Sequence, residues 1–316
     1  MTQERILITG GAGYIGSVLF PELLKKGYKV RIFDNLRYNS NALIFQNIPN
    51  PNFEFIKGDV RDKKAVEEAM KDVDVVIHLA AIVGLPACKQ NPEMAEEVNI
   101  GGTKNVLETR GKIPIIFAST ISNYGRVKNP DVPCNEETPL SPTETYSLTK
   151  TKAEEMVKAS GNYIVFRFAT AFGLSPRLRL DLLINEFVYK AVKERQLIVY
   201  EKAFKRPFVH IRDIAKGIIF AIENRGKMLN NVYNLGSNQA NLTKEQVALL
   251  IKSKLQEDFI LHFTEGKGQD DQRNFFVDSS KLEKLGFKPD VSVEQGVEEL
   301  IKGVKLLEIK NPYTNL

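Results

Sequence analysis

Cysteine and histidine are scarce in this 316-residue chain: Cys88 and Cys134 stand alone, and three histidines are scattered along it. Neither cysteine has a CxxC partner and no histidine has zinc-ligand spacing, so neither a disulfide framework nor a metal site is expected. Long apolar runs are also missing. The longest, "DVVIHLAAIVGL" (74–85), is too short to cross a bilayer. The chain reaches "ILITGG" within a few residues, without the basic and apolar pattern of a signal peptide, which gives the expectation of a cytoplasmic protein with no membrane partner. No internal repeat or low-complexity linker stands out. Nor is there a block of one charge sign. The net charge is +5, but lysines alternate with acids, as in "DKKAVEEAMKD" (62–72), a pattern of solvated helix faces rather than of a nucleic-acid track. No nucleic-acid partner is expected; a mild positive excess suits a small anionic substrate.

What is present is 43% apolar and 26% charged, the balance of a globular chain long enough for a large core. Short β-branched runs alternate with helical patterns. Strands are expected at 5–10, 29–34, 53–59, 73–81, 113–120 and 162–169, with helices at 15–27, 63–71, roughly 92–110 and roughly 143–160. Alternation with near-continuous apolar strands predicts an α/β fold, a Rossmann-type doubly wound parallel sheet covered on both faces. Ligands of such sheets bind beyond the carboxyl ends of the strands. Gly10, Asp34, Asp59, Ala80, Ala81, Ser119 and Thr120 all fall there. The second half is less regular. A strand end feeding a helix at 206–224, a strand at 231–236 and helices near 181–194, 243–255 and 293–307 suggest a smaller α/β substrate-binding lobe. The expected division is 1–170 for the dinucleotide, with 206–235 returning to it, and 171–205 plus 236–316 for the substrate.

"TGGAGYIG" (9–16) lies between the first strand and the first helix. Two glycine registers are open: Gly11, Gly13 and Gly16, or Gly10, Gly13 and Gly16. In either, the glycines allow a tight turn and close approach, and the helix N-terminus offers N–H donors to a pyrophosphate. Asp34 at the end of the second strand suits ribose hydroxyls and repels a 2′-phosphate, which favours NAD over NADP; Arg37 keeps the NADP option open.

YxxxK puts a tyrosine and a lysine on one helix face, where an ammonium favours the phenolate and brings it toward working pH. The pattern occurs three times, as Tyr124/Lys128, Tyr146/Lys150 and Tyr189/Lys193. Gly125, Pro130 and Pro133 argue against a helix over the first, and the third lies in an ordinary amphipathic helix beyond the sheet. Tyr146 opens the helix that precedes the strand at 162–169, one crossover after the hydroxyl-rich strand end "FASTISNYG" (117–125). That places Tyr146, Lys150 and Thr120 at the glycine edge of the sheet.

With "TGGAGYIG", "FDNL" (33–36), "GDVRD" (58–62), "HLAA" (78–81), Asn99, "FASTISNYG", "YSLTK" (146–150), "RFATAFG" (167–173), "RPFVHIRDIA" (206–215) and "YNLG" (233–236) in order, the chain resembles the extended short-chain dehydrogenases/reductases of the NAD-dependent epimerase/dehydratase family. The match spans residue 6 to about 236 and is loose beyond 240. The resemblance implies NAD as cofactor and a nucleoside-diphosphate sugar as substrate. Asp59 and Val60 would contact adenine, and Tyr14, Ile15, Asn35, Leu79, Ala80, Ala81 and Asn99, inside matched motifs, would complete the cofactor site. Tyr146 would be the acid/base, Lys150 would also bond the nicotinamide ribose, and Thr120 would bond the reacting sugar oxygen. Arg206 would hold the substrate diphosphate. Thr170 stands where the family often has Asn. Arg177 and Arg179, two apart and pointing the same way if extended, are candidates to grip a phosphate or sugar carboxylate, and Arg273 is another. A homodimer through the helices near 92–110 and 143–160 is implied by the same resemblance.

Relatives that dehydrate the sugar usually carry Asp-Glu directly after the reactive threonine, and decarboxylases a Glu at the second position after it. Ile121 and Ser122 occupy those positions here, although Glu144 could supply an acid from elsewhere in the pocket. The expectation is a nucleotide-sugar epimerase acting at C4 through a ketosugar. The alternatives are an NAD(P)H-dependent ketosugar reductase, a 4,6-dehydratase, or a dinucleotide-binding protein without catalysis.

Overall fold

The computed structural model describes residues 4–38, 42–265 and 273–306. The outer ends of the expected 1–170 and 236–316 segments, and residues 270–272 beside Arg273, lie outside the described residues. Six strands, β1 (Arg5–Thr9), β2 (Lys29–Asp34), β3 (Phe53–Lys57), β4 (Val75–His78), β5 (Ile115–Thr120) and β6 (Tyr163–Phe168), alternate with helices. Three further strands, β7 (Thr170–Phe172), β8 (Gln196–Tyr200) and β9 (Lys205–His210), precede β10 (Asn231–Leu235), β11 (Asn241–Thr243) and β12 (Ile260–Thr264). The main sheet has seven parallel strands in the order β10-β6-β5-β4-β1-β2-β3. The order reverses between β1 and β4, so their carboxyl ends open a crevice.

The strands are apolar throughout because both faces are covered. Side chains alternate between faces: Ile6 and Ile8 join one core while Leu7 joins the other, and Val75 and Ile77 oppose Val76 in the same way. A separate core, with Phe172, Val188, Val247 and Val297 among its members, packs the second lobe. There β7, β9 and β11 form a three-stranded sheet, and β8 pairs with β12 across about sixty residues of chain. Sequence patterning did not find β8, β12 or the short strands β7 and β11.

The helical stretch expected near 92–110 has a π-helical centre, Glu97–Gly102, between Pro92–Glu96 and Thr103–Thr109. Gly102 is needed there, since a Cβ would lie 2.5 Å from the Val60 side chain. The wide turn aims Asn99 at the loop after β4, where its amide bonds both backbone groups of Ile82 and the Thr149 hydroxyl. Buried His78 bridges Thr9 Oγ1 at 2.6 Å and Thr103 Oγ1 at 3.0 Å, and burial pushes it down to about 3, so it serves as a neutral strut. No helix among the described residues is long and apolar enough to cross a membrane.

Candidate active site

The first turn of helix Gly16–Lys25 forms one wall of a cleft over β1, β2 and β4. Two glycines are obligatory. Gly10 has φ +70° and a Cβ there would meet Ala80 N at 2.6 Å; a Cβ on Gly16 would meet Gly11 O at 2.4 Å. Gly10, Gly13 and Gly16 line the cleft, whereas Gly11 packs on Ile32, which selects the second of these registers. Asp34 Oδ2 accepts from Ala12 N at 3.0 Å and Oδ1 from Leu36 N at 2.7 Å, leaving each oxygen able to accept again. Leu36 adopts the left-handed conformation, φ +58°, that turns its N–H back to Asp34. Burial raises the Asp34 carboxyl, against those two donors and the nearby Arg177 charge. Asn35 Nδ2 donates to Asp59, which the Arg61 guanidinium and these bonds hold at about 2 despite burial. Tyr14, Ile15, Asn35, Asp59, Val60, Leu79, Ala80 and Ala81 line the same cleft. A glycine cradle at a helix N-terminus, backed by a carboxylate with free acceptor positions, fits a dinucleotide such as NAD.

Asn99 lines neither this cleft nor its neighbour; it is a buried tie between the Ile82 backbone and helix Thr145–Ala159. Its contribution is to position the walls.

A second cavity joins the first along Ile15, Leu79, Ala81, Val83, Ala171 and Arg179, which border both. Thr120, Tyr146 and Lys150 face it, near that seam. Helix Thr145–Ala159 begins with a capping box in which Glu144 and Ser147 bond reciprocally, which fixes the start one residue before Tyr146. Glu144 also lines the cavity, but its side chain is committed to the cap. Tyr146, Lys150 and Glu154 recur every four residues and share one helix face. Tyr146 and Thr120 face the same cavity, and Thr120 Oγ1 accepts from Ser122 N at 3.1 Å. Burial raises the Tyr146 phenol; Arg179, Thr120 and Arg273 oppose that rise. Lys150 Nζ lies 4.0 Å over the Phe117 ring, and burial pulls it down to about 7 while the Glu154 charge works in the other direction.

Beneath them Ser119 and Asn123 donate to Glu154 Oε2 at 2.5 and 3.1 Å, and Arg167 Nη2 donates to Oε1 at 2.7 Å. Arg167 Nη1 reaches the Tyr124 hydroxyl, which donates to Asn234 at 2.7 Å. The hydroxyls clustered at this strand end therefore divide: Thr120 faces the second cavity, while Ser119 and Tyr124 satisfy a buried ion pair. Ser122 accepts from Arg273 Nη1 at 2.6 Å.

Thr170, Arg206 and Arg273 line the second cavity with Arg179, which is paired to Asp181 at 2.5 Å. Arg177 does not. It is turned into the dinucleotide cleft, 4.0 Å over the Tyr38 ring, while Arg179 borders both cavities, because 175–182 is irregular rather than extended. Lys190, Glu186, Glu201 and Lys244 also line the cavity and were not anticipated. Only the "TKEQ" capping box (243–246) hinted at Lys244, by marking a helix start.

The sequence profile of the NAD dependent epimerase/dehydratase family matches residues 6–236. The Methanocaldococcus jannaschii protein called "Putative UDP-glucose 4-epimerase" is 30% identical over 95% of this chain and 98% of its own. The Danio rerio UDP-glucuronic acid decarboxylase 1 is also 30% identical over 95% of this chain, covering 72% of its own. The crystal structure of Bacillus cereus UDP-glucuronic acid 4-epimerase with UDP-glucuronic acid and NAD superposes with a TM-score of 0.85, covering 95% of this chain and 99% of that one, at 24% identity. That likeness is one of fold.

Proposed function

Because the chain belongs to the NAD dependent epimerase/dehydratase family, we propose that it is an NAD-dependent nucleotide-sugar epimerase, inverting C4 of a nucleoside-diphosphate sugar. One arrangement carries the reading: Tyr146, one turn from Lys150, lines with Thr120 the cavity that adjoins the dinucleotide cleft, and Ile121 and Ser122 stand where lyase relatives carry acids. Relatives at equal identity bear epimerase and decarboxylase names, so overall similarity does not choose between the reactions; those two positions do. Glu144 takes part in its helix cap, and Glu186 and Glu201 are the other glutamates of the cavity wall.

NAD, when bound, supplies a reversible hydride acceptor. The chain's own residues handle the proton and the orientation. Tyr146 Oη takes the proton of the sugar C4 hydroxyl and returns it after the ketosugar has turned in the cavity. Thr120 aligns that hydroxyl, and the Lys150 ammonium holds the phenolate. In this reading Tyr146 and Lys150, one helical turn apart, share a single proton in the working form. Arg206, Arg179 and Arg273 give the cavity the cationic character that a diphosphate needs.

In this reading residues 1–170 with 211–235 hold the dinucleotide, and 171–210 with 236–316 hold the sugar nucleotide; the return expected for 206–235 begins only after β9, which stays in the second lobe's sheet. Pairing of two chains through helix Thr145–Ala159 and its neighbour follows from the family resemblance. Incubation with UDP-glucose, UDP-GlcNAc and their uronates without added NAD tests the reaction. The expected result is interconversion with the C4 epimer for at least one pair. Turnover of a 4-ketosugar only when NADH is added, with no interconversion, would replace the reading by a reductase.

A further inference from the structure

Residues 173–179 leave the second lobe, cross the rim of the dinucleotide cleft and return. The base of this loop is closed by Asn185, which is fully buried: its Oδ1 accepts from Gly173 N at 2.9 Å and its Nδ2 donates to Arg179 O at 2.8 Å. The loop is stapled to the glycine turn. Tyr14 Oη donates to Gly173 O at 2.7 Å, Ser175 Oγ donates to Tyr14 O at 2.8 Å, and the Ser17 and Ser175 hydroxyls are 2.9 Å apart. Between these anchors Arg177, only 5% exposed, reaches across to the β2 side of the cleft, where it lies over Tyr38 and within electrostatic range of Asp34. Substrate-lobe backbone is thus bonded to the turn that cradles a pyrophosphate, and a substrate-lobe guanidinium is bound beside the carboxylate suited to the ribose.

We propose that loop 173–179 is a latch that holds the dinucleotide in place through successive turnovers, with Arg177 as a cofactor-holding rather than a sugar-holding residue. The proposal rests on the reading of NAD as cofactor. For NAD to leave the cleft, the Arg177–Tyr38 contact and the Ser175 bonds to the glycine turn must open together. This is what an epimerase requires, since it returns the hydride to the same sugar, and what a reductase that exchanges its cofactor each cycle cannot have.

The test is exchange of bound nucleotide. Purified protein is mixed with excess NAD deuterated in the nicotinamide ring, desalted at intervals, and its bound nucleotide analysed by mass spectrometry. The wild type is expected to exchange slowly, whereas Arg177→Ala and Ser175→Ala exchange faster by roughly tenfold or more, the loss of one stacked cation or one to two hydrogen bonds. Arg177→Lys, which keeps charge but not the planar stack, is expected to lie between. Equal exchange in the wild type and both alanine variants overturns the latch, as does a wild type that is purified empty and equilibrates at once. Slow exchange in a protein that interconverts no sugar upholds the latch and counts against the epimerase. Fast exchange in one that does interconvert sugars counts against the latch alone.

Discussion

Glu154→Ala is the perturbation whose consequences follow most directly from the packing. The Glu154 carboxylate is 1% exposed and accepts from Ser119, Asn123 and, at both oxygens, Arg167, itself 3% exposed. Truncation leaves the Arg167 guanidinium buried with only the Tyr124 hydroxyl and the Glu136 carbonyl. An ion pair broken on one side in such surroundings costs about 3–5 kcal/mol, which in a chain of this size corresponds to a fall in melting midpoint on the order of 5–10 °C. Salt should hardly alter the difference, because the pair is shielded from solvent. Differential scanning calorimetry at low and high sodium chloride measures both quantities. A loss below about 1 kcal/mol, the range of exposed pairs, would refute the view that this network supports the strand end. Glu154→Gln then separates support from electrostatics. It keeps an acceptor oxygen and the shape but removes the charge that raises Lys150, so the acid limb of the pH–rate profile moves to lower pH. A limb that stays in place or moves up would show that Glu154 does not act on Lys150.

Other outcomes follow from the same geometry. With one proton shared between Tyr146 and Lys150, activity of the wild type should fall about tenfold per pH unit below about 7, the value to which burial pulls Lys150, and level off above it; a profile flat from pH 5 to 8 would contradict that sharing. Tyr146→Phe should lower kcat by about 10²–10⁴-fold while nucleotide content, measured after denaturation, is unchanged. Gly10→Ala brings a Cβ to 2.6 Å from Ala80 N in a left-handed backbone, and the purified protein should carry little NAD; full occupancy would show that the cleft is not the cofactor site. Ser122→Ala removes the Arg273 acceptor in the sugar cavity and should raise KM a few-fold with kcat nearly intact, read from initial rates.

The first half of the fold was legible because each strand there is a local apolar run bounded by a turn, and both faces are buried. The second lobe was not, because β8 and β12 are partners far apart in the chain, and β8 alternates buried and exposed positions over only five residues. Candidate residues at strand ends could be placed by topology alone, as Asp34 and Thr120 show. Residues on irregular backbone could not. The spacing of Arg177 and Arg179 suggested a shared direction that holds only for an extended segment. Asn99 carries a motif signal, but the π-helical turn spends its side chain on the Ile82 backbone. The surplus hydroxyls of 117–125 were ambiguous for a related reason: their partners Glu154, Asn234 and Arg273 arrive from distant segments.

The central claim, reversible hydride transfer at C4 with Tyr146 as the proton carrier, is tested most directly by isotope tracking. UDP-glucose, UDP-GlcNAc and UDP-glucuronic acid carrying deuterium at C4 are incubated with purified protein in ordinary water without added nucleotide. The account predicts that a C4 epimer forms from at least one of them with its deuterium still on C4, and that Tyr146→Phe forms almost none. Deuterium lost to solvent, or a dehydrated or decarboxylated product in place of the epimer, would contradict it.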